Sequence, residues 1–310
     1  MIRRKSVAEF SSAFDFACWC GNREAVPFCA QMFRRKFVVL RCCACGTHRI
    51  LPRALQSQND ATRLYNLQEH TRAVIPNAVL EENAQKILER IQRVGIAFNG
   101  NQTVIDIGCS DGLLIESIRR RSGCRAIGVD VDQKVLALAQ QNYPQVEFIQ
   151  ARLDEVEKTL PAADVVIASA ILEHVTDPKN FLKTLKDLLN PGGHIFLLTP
   201  NSDSRNYLIL RSCWRELLAI GEHIYLFNPT SIGTLAELVG LQIKEMATGY
   251  DRTILSFQIR SGKDLVIVCW RIILYVVKWA CQRRANDFKG DILFLHLEAE
   301  QMLRQPSHKL

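Results

Sequence analysis

Several absences narrow what this 310-residue sequence can encode. Its first residues, MIRRKSVAEFSSAF, are positively charged but hold no apolar run of about 7–15 residues, so they do not read as a secretory leader. No internal repeat and no low-complexity tract is present, so a repeat or disordered architecture is not expected. A dinucleotide fingerprint, G-x-G-x-x-G, is missing too. The nearest series runs Gly108, Ser110, Gly112, with Leu113 where the last glycine would fall. Nor does an Asn/Asp-Pro-Pro-aromatic segment follow the apolar run from Asp164 to Ala168. Read as an unsecreted chain, its eleven cysteines do not suggest a disulfide framework; reduced thiols, a metal and a cytoplasmic setting are expected.

What is present suffices for one large domain and a small appendage, since 48% of the residues are apolar. The net charge of +7 permits an acidic partner such as RNA or anionic lipid. Its spread along the chain reads instead as a basic enzyme.

Residues 104–132, VIDIGCSDGLLIESIRRRSGCRAIGVDVD, organise the rest. Val104 to Ile107 form a short apolar run, a turn with Gly108, Ser110 and Gly112 follows, and Leu113 to Arg121 have apolar residues at helical spacing. Ala126 to Val129 then form a second strand closed by Asp130. This is a βαβ unit with an acid at the tip of its second strand, 22 positions after Gly108. Glycines in the turn let a ligand approach the backbone, and Asp130 is placed to accept from a ribose diol.

Downstream, the pattern continues as helix 133–142, strand 146–150, strand 164–168, a helix behind Asp177-Pro178, strand 194–199 and a sixth strand at 241–246. A last strand, Gly290 to Leu297, ends the apolar pattern. The series D-x-G-x-x-x-G with Asp130, then L-E-H-V, D-P, N-P-G-G and T-P-N, resembles the class I S-adenosylmethionine (SAM)-dependent methyltransferases. Within these it is similar to the ubiquinone-type and related small-molecule enzymes, over about residues 100–250. The resemblance implies an α/β, Rossmann-like seven-stranded sheet with helices on both faces. Six strands are parallel and the last is antiparallel, inserted between the fifth and sixth. It also implies SAM as cofactor, contacted by Asp106, Gly108, Cys109, Ser110, Gly112, Asp130, Val131, Leu153 and Ser169. The family's adenine-contacting acid has no clear counterpart, because Arg152 stands near its place; Asp154 or the backbone around Leu153 is the substitute.

Ahead of this domain (81–310) lie a cysteine module (1–55) and a polar connector (56–80). Cys18 and Cys20 form C-x-C-G, and Cys42 and Cys45 form C-x-x-C-G. Two glycine-closed knuckles joined by the strand-like Phe37 to Leu40 would set four thiolates around one structural Zn²⁺. Cys29, Cys43 and His48 are alternative ligands. The module resembles the zinc-ribbon-like piece that precedes some small-molecule and some ribosomal-RNA methyltransferases.

Residues 201–228 read as a substrate lid, rich in cations and aromatics (Arg205, Tyr207, Arg211, Trp214, Arg215, Tyr225, Phe227). Residues 264–281 are nearly all apolar, interrupted by Asp264, Arg271 and Lys278, which fall seven apart and form one stripe. Arg271 would lie near a bilayer centre, which argues against spanning; burial in the fold or a homodimer, or peripheral contact with a membrane, are the readings. Proton removal from an acceptor falls to a histidine, His223 first and His174 second, and Cys109 is expected to be inert. The function expected is O-methylation of a small molecule: a sugar, lipid-linked or quinone-like acceptor. Methylation of rRNA or tRNA, and a non-catalytic scaffold on the same fold, are the alternatives. Nucleic acid is the less favoured partner.

Overall fold

Alternation along each strand decides which side of the sheet meets which helix. In the computed structural model, residues 16–29, 37–52, 77–156, 158–210, 223–249 and 291–299 are described. The connector up to residue 76, lid residues 211–222 and the apolar stretch 264–281 lie outside them.

The strand β4 (Thr103–Ile107) sends Ile105 and Ile107 to one face and Val104 and Asp106 to the other. On the first face they join Phe181, Leu182 and Leu185 of the helix Pro178–Asp187, and Ile232 and Leu235 of the helix Pro229–Leu238. On the second, Val104 packs with Leu88 and Ile91 of the helix Asn77–Arg93, and with Leu114, Ile115 and Ile118 of the helix Leu113–Ser122. Each such fully buried isoleucine or leucine contributes about 1.5–3 kcal/mol. Side-chain caps fix where several of these helices begin. Asp132 accepts from Lys134 N and Val135 N, Asp177 accepts from Asn180 N, and Asn228 with Ser231 closes a reciprocal capping box.

Seven strands form the main sheet. With β5 (Arg125–Asp130), β6 (Glu147–Gln150), β7 (Ala163–Ser169), β8 (Leu189–Pro200), β10 (Leu241–Gly249) and β11 (Ile292–Ala299), their order is β10-β11-β8-β7-β4-β5-β6. Pairs β4–β5, β4–β7, β5–β6 and β7–β8 are parallel, whereas β11 is antiparallel to both β8 and β10. The expected insertion of an antiparallel last strand between fifth and sixth is therefore what the sheet contains. One local reading needs correcting: Asn190-Pro-Gly-Gly193 is not a turn ahead of the strand. Leu189 already pairs with Ala163, and residues 190–193 bulge out before His194 pairs with Val165. Asn190 Nδ2 donates to Asp164 Oδ1 at 2.9 Å and holds the bulge closed.

A second sheet carries the cysteines. Strands β1 (Ala25–Cys29), β2 (Phe37–Cys42) and β3 (His48–Pro52) run antiparallel, and β3 pairs with β9 (Tyr225–Leu226), a piece of the expected lid. The amino-terminal module is thus sewn to the large domain by shared strands.

Candidate active site at the carboxyl edge of the sheet

From β4 the chain builds outwards on one side through β5 and β6, then returns to the other through β7 and β8. That reversal opens a crevice beyond the carboxyl ends of β4 and β7, where ligands bind in open α/β sheets. The turn after β4 forms one wall. Gly108 N and Cys109 N donate to Val129 O at 2.7 and 3.1 Å, which ties the turn to β5. Ser110 N donates to Asp130 Oδ2 at 2.9 Å, and Asp132 N donates to Oδ1 at 3.0 Å. Asp130 therefore braces two loops at once, and each of its oxygens keeps a lone pair for a further donor.

Gly108 and Gly112 both have φ of 76°, and a Cβ on Gly108 would stand 2.2 Å from Ile171 Cδ1 across the crevice. Only glycine fits there. The two non-glycine residues with positive φ, among those described, both sit here: Ser110 (52°) in the turn and Ala170 (58°) just past β7. Strained backbone of this kind concentrates at sites that must present groups in a fixed pose.

Asp106 lies beneath the turn, and burial first, then Asp130 and Asp111, push its carboxyl well above the usual range. Cys109 is 4% exposed, and its Sγ lies 2.8 Å from where a Cβ on Gly128 would stand. Burial, then the neighbouring carboxylates, push its thiol up. Val131 is unusual in being a large apolar residue 46% exposed, directly beside Asp130. Leu153 opens a one-turn helix, Leu153–Val156, next to β6, and Ser169 ends β7. Asp154 is paired with Arg152 at 3.0 Å, both exposed.

The opposite wall is made of the turn Leu172–His174 and the segment entering β9. It brings His174 and His223 together, ring centroids 4.8 Å apart and edge to face. Glu173 lies behind them, 1% exposed, its Oε2 accepting from Thr199 Oγ1 at 2.9 Å and its Oε1 4.0 Å from His174 Nε2. Burial raises its pKa to about 7 against the opposing pull of its hydrogen bonds. Ile224 N donates to Glu173 O at 2.7 Å, and Ile50 N of β3 donates to Ile224 O at 2.9 Å. His223 is therefore clamped between the cysteine module and the L-E-H turn. His174, with a quarter of its side chain exposed, is the more open of the two. Tyr207 and Phe227 are wholly buried and Tyr225 nearly so; these lid aromatics pack behind the wall and do not face solvent.

The four nominated cysteines converge. Cys18 Sγ is 3.6 Å from Cys45 Sγ, Cys20 Sγ is 3.7 Å from Cys42 Sγ, and all four lie within 4.8 Å of one another. A zinc–thiolate tetrahedron with bonds of about 2.3 Å has edges of about 3.8 Å, so the spacing fits the metal. The hydrogen bond from Cys18 holds the Cys45 thiol down to about 5, with Thr47 also lowering it. Trp19 Nε1 donates to Thr47 Oγ1 at 3.1 Å, and Cys45 Sγ donates to the same hydroxyl at 3.2 Å. Of the alternative ligands, Cys43 is exposed and His48 is packed against the Tyr207 ring, both outside the cluster. Sequence reasoning placed the histidines and cysteines but passed over Glu173 and Thr199, although the glutamate stands inside the L-E-H-V segment.

Residues 79–245, more than half of the chain, match the family profile of a methyltransferase domain. The chain belongs to the class I SAM-dependent methyltransferases. Among its relatives, a ubiquinone biosynthesis O-methyltransferase of Acinetobacter baumannii is 32% identical over 154 residues, covering 46% of this chain and 65% of that protein. The enzyme of the same name from Pseudomonas paraeruginosa is 30% identical over 165 residues, covering 50% of this chain and 69% of that one. The chain thus spans just under two thirds of the Acinetobacter relatives it matches. In fold, it superposes on a Bacillus halodurans C-125 protein provisionally assigned as a methyltransferase, with TM-score 0.53 and 14% identity, covering 70% of this chain and all of the other. The crevice carries the glycine turn, the Asp130 carboxylate and the exposed Val131.

Proposed function

We propose that this methyltransferase moves a methyl group from SAM to a hydroxyl of a small acceptor, with a quinone-like or phenolic ring ahead of a sugar or lipid-linked one. The observation that carries the reading is the His174–His223 pair with Glu173 behind it, set across the crevice from the glycine turn. When bound, SAM supplies an electrophilic methyl group on a positively charged sulfur. In this reading the backbone of Gly108 to Gly112 holds the donor's amino-acid end, Asp130 accepts from its ribose hydroxyls, and Val131 with Leu153 covers its base. Ser169 and Ala170 border the reacting end.

What this chain's own residues do for the reaction is mainly alignment, which supplies about 7–11 kcal/mol when two reactants are held in line. A hydroxyl acceptor also sheds a proton. His174, the more open histidine, takes it, and His223 fixes the ring's attitude from its edge. Glu173, titrating near 7, balances the imidazolium charge that forms. Zinc in the Cys18, Cys20, Cys42 and Cys45 cluster is structural in this reading: it holds β3, and through β3 the His223 segment. Among the described residues no helix is long and apolar enough to cross a membrane; peripheral contact through 264–281, and the alternative of a dimer there, are kept as proposals.

The test is transfer of labelled methyl from SAM to a panel of catechols, hydroxyquinones and sugars, beside total RNA. Labelled phenolic or quinone ether, insensitive to ribonuclease, is the expected product. Label in RNA would support the nucleic-acid reading instead, and SAM binding no tighter than millimolar would leave a scaffold.

A further inference from the structure

At the far edge of the main sheet, away from the crevice, three potential ligands meet on adjacent strands. His194 begins the regular part of β8, and His296 and Glu298 lie on β11, two residues apart and so on the same face. His194 pairs in register with Glu298, while His296 pairs with Phe196 and reaches His194 diagonally. Their donor atoms converge: His296 Nε2 is 2.9 Å from His194 Nδ1, His194 Nδ1 is 3.1 Å from Glu298 Oε1, and His296 Nε2 is 3.4 Å from the same oxygen. We infer that His194, His296 and Glu298 form a binding site for a divalent metal ion of the zinc type.

Two features make this more than proximity. First, the spacing is right. Zinc bonded to nitrogen and oxygen at about 2.0–2.1 Å has tetrahedral edges of about 3.3 Å, and the three separations bracket that value. Second, two of the three ligands already have an outer partner that aims them. His296 Nδ1 lies 3.1 Å from Val94 O, and a carbonyl can only accept, so Nδ1 carries the proton and Nε2 turns its lone pair to the cluster. Lys244 Nζ holds Glu298 Oε2 at 3.0 Å and leaves Oε1 for a metal. Lys244 opposes a cation, but it lies beyond the carboxylate.

Two imidazoles and one carboxylate leave a fourth position on the solvent side, where His194 is 31% and Glu298 25% exposed in their side chains. A bound ion there would cross-link β8 to β11, the strand inserted into the sheet from the carboxy-terminal end of the sequence. The competing arrangement is a proton shared among the same three groups.

Cobalt uptake separates the two. The full chain is loaded with Co²⁺, dialysed, and its metal content compared with the near-ultraviolet thiolate-to-cobalt absorption, which reports only the cysteine cluster. The expected wild-type result is one equivalent more than that absorption accounts for. His194→Gln loses this equivalent while keeping the thiolate band and SAM binding. Glu298→Gln, which preserves volume, lowers affinity for it at least tenfold and serves should the histidine variant not fold. Wild-type protein with no metal beyond the thiolate-bound share, or a folded variant that takes up as much as wild type, would overturn the site.

Discussion

The turn after β4 and the wall around His223 face the same crevice but are held by different means. The turn and its acid lie within residues 106–132, and its bonds run between β4 and β5, which are next to each other in both sequence and sheet. The wall draws on four distant places: β3, the L-E-H turn, Thr199 and the segment before β9. A local cradle survives loss of a remote contact. An assembled wall does not, so donor binding and acceptor chemistry should separate under perturbation.

The largest separation is expected from the histidines. His174→Ala should lower kcat by about 10²–10⁴-fold, the range of general acid–base catalysis, with SAM affinity unchanged; single-turnover rates beside calorimetry read both. An equal loss of donor affinity would mean that the two walls are one unit. Chelation of the cysteine cluster, or Cys42→Ser with Cys45→Ser, comes next. It releases β3 from β9 and with it His223, so kcat should fall by roughly tenfold or more while the large domain keeps its SAM affinity. Retained activity in a metal-free, folded protein would remove zinc from the account.

Glu173 gives a smaller effect with a definite sign. Its pKa rises from 4.5 to about 7 on folding, so between these pH values the native state holds more protons than the unfolded one. Stability is then greatest below 4.5 and falls as pH climbs to 7, by about 3 kcal/mol from this one buried group. Glu173→Gln should flatten that slope in denaturant titrations; an unchanged slope would place the titration elsewhere. Smallest is Gly128→Ala. Its Cβ would meet Cys109 Sγ and Phe148 Cδ1, each at 2.8 Å, for a loss of about 1–3 kcal/mol in stability, and it should loosen the cradle without touching the wall.

The same contrast explains what could be read from sequence. Glycine turn, tip acid and helix periodicity are local, and they placed β4, β5 and the helix Gln133–Asn142 almost to the residue. The spacing of the cysteines also brings Cys18, Cys20, Cys42 and Cys45 within 4.8 Å of one another, because both knuckles are short and β1 and β2 between them pair antiparallel. A two-residue strand such as β9 has no period to detect, and its partner β3 lies more than 170 residues earlier. Tyr207, Tyr225 and Phe227 look like substrate-facing aromatics by composition, yet only packing decides which way such rings turn, and here they face the core. Glu173 was hidden for the opposite reason: a glutamate in a polar-looking turn gives no sign that Thr199, on another strand, will bury it.

Most direct for the central claim is a calorimetric titration of SAM into folded Asp130→Ala. That carboxylate braces Ser110 and Asp132 and is the group assigned to the donor's ribose, where two charge-assisted hydrogen bonds are worth about 1.5–3 kcal/mol each. The expected result is an affinity lowered about a hundredfold or more, against unchanged affinity in His174→Ala. Wild-type affinity in folded Asp130→Ala would contradict the placement of the donor in this crevice.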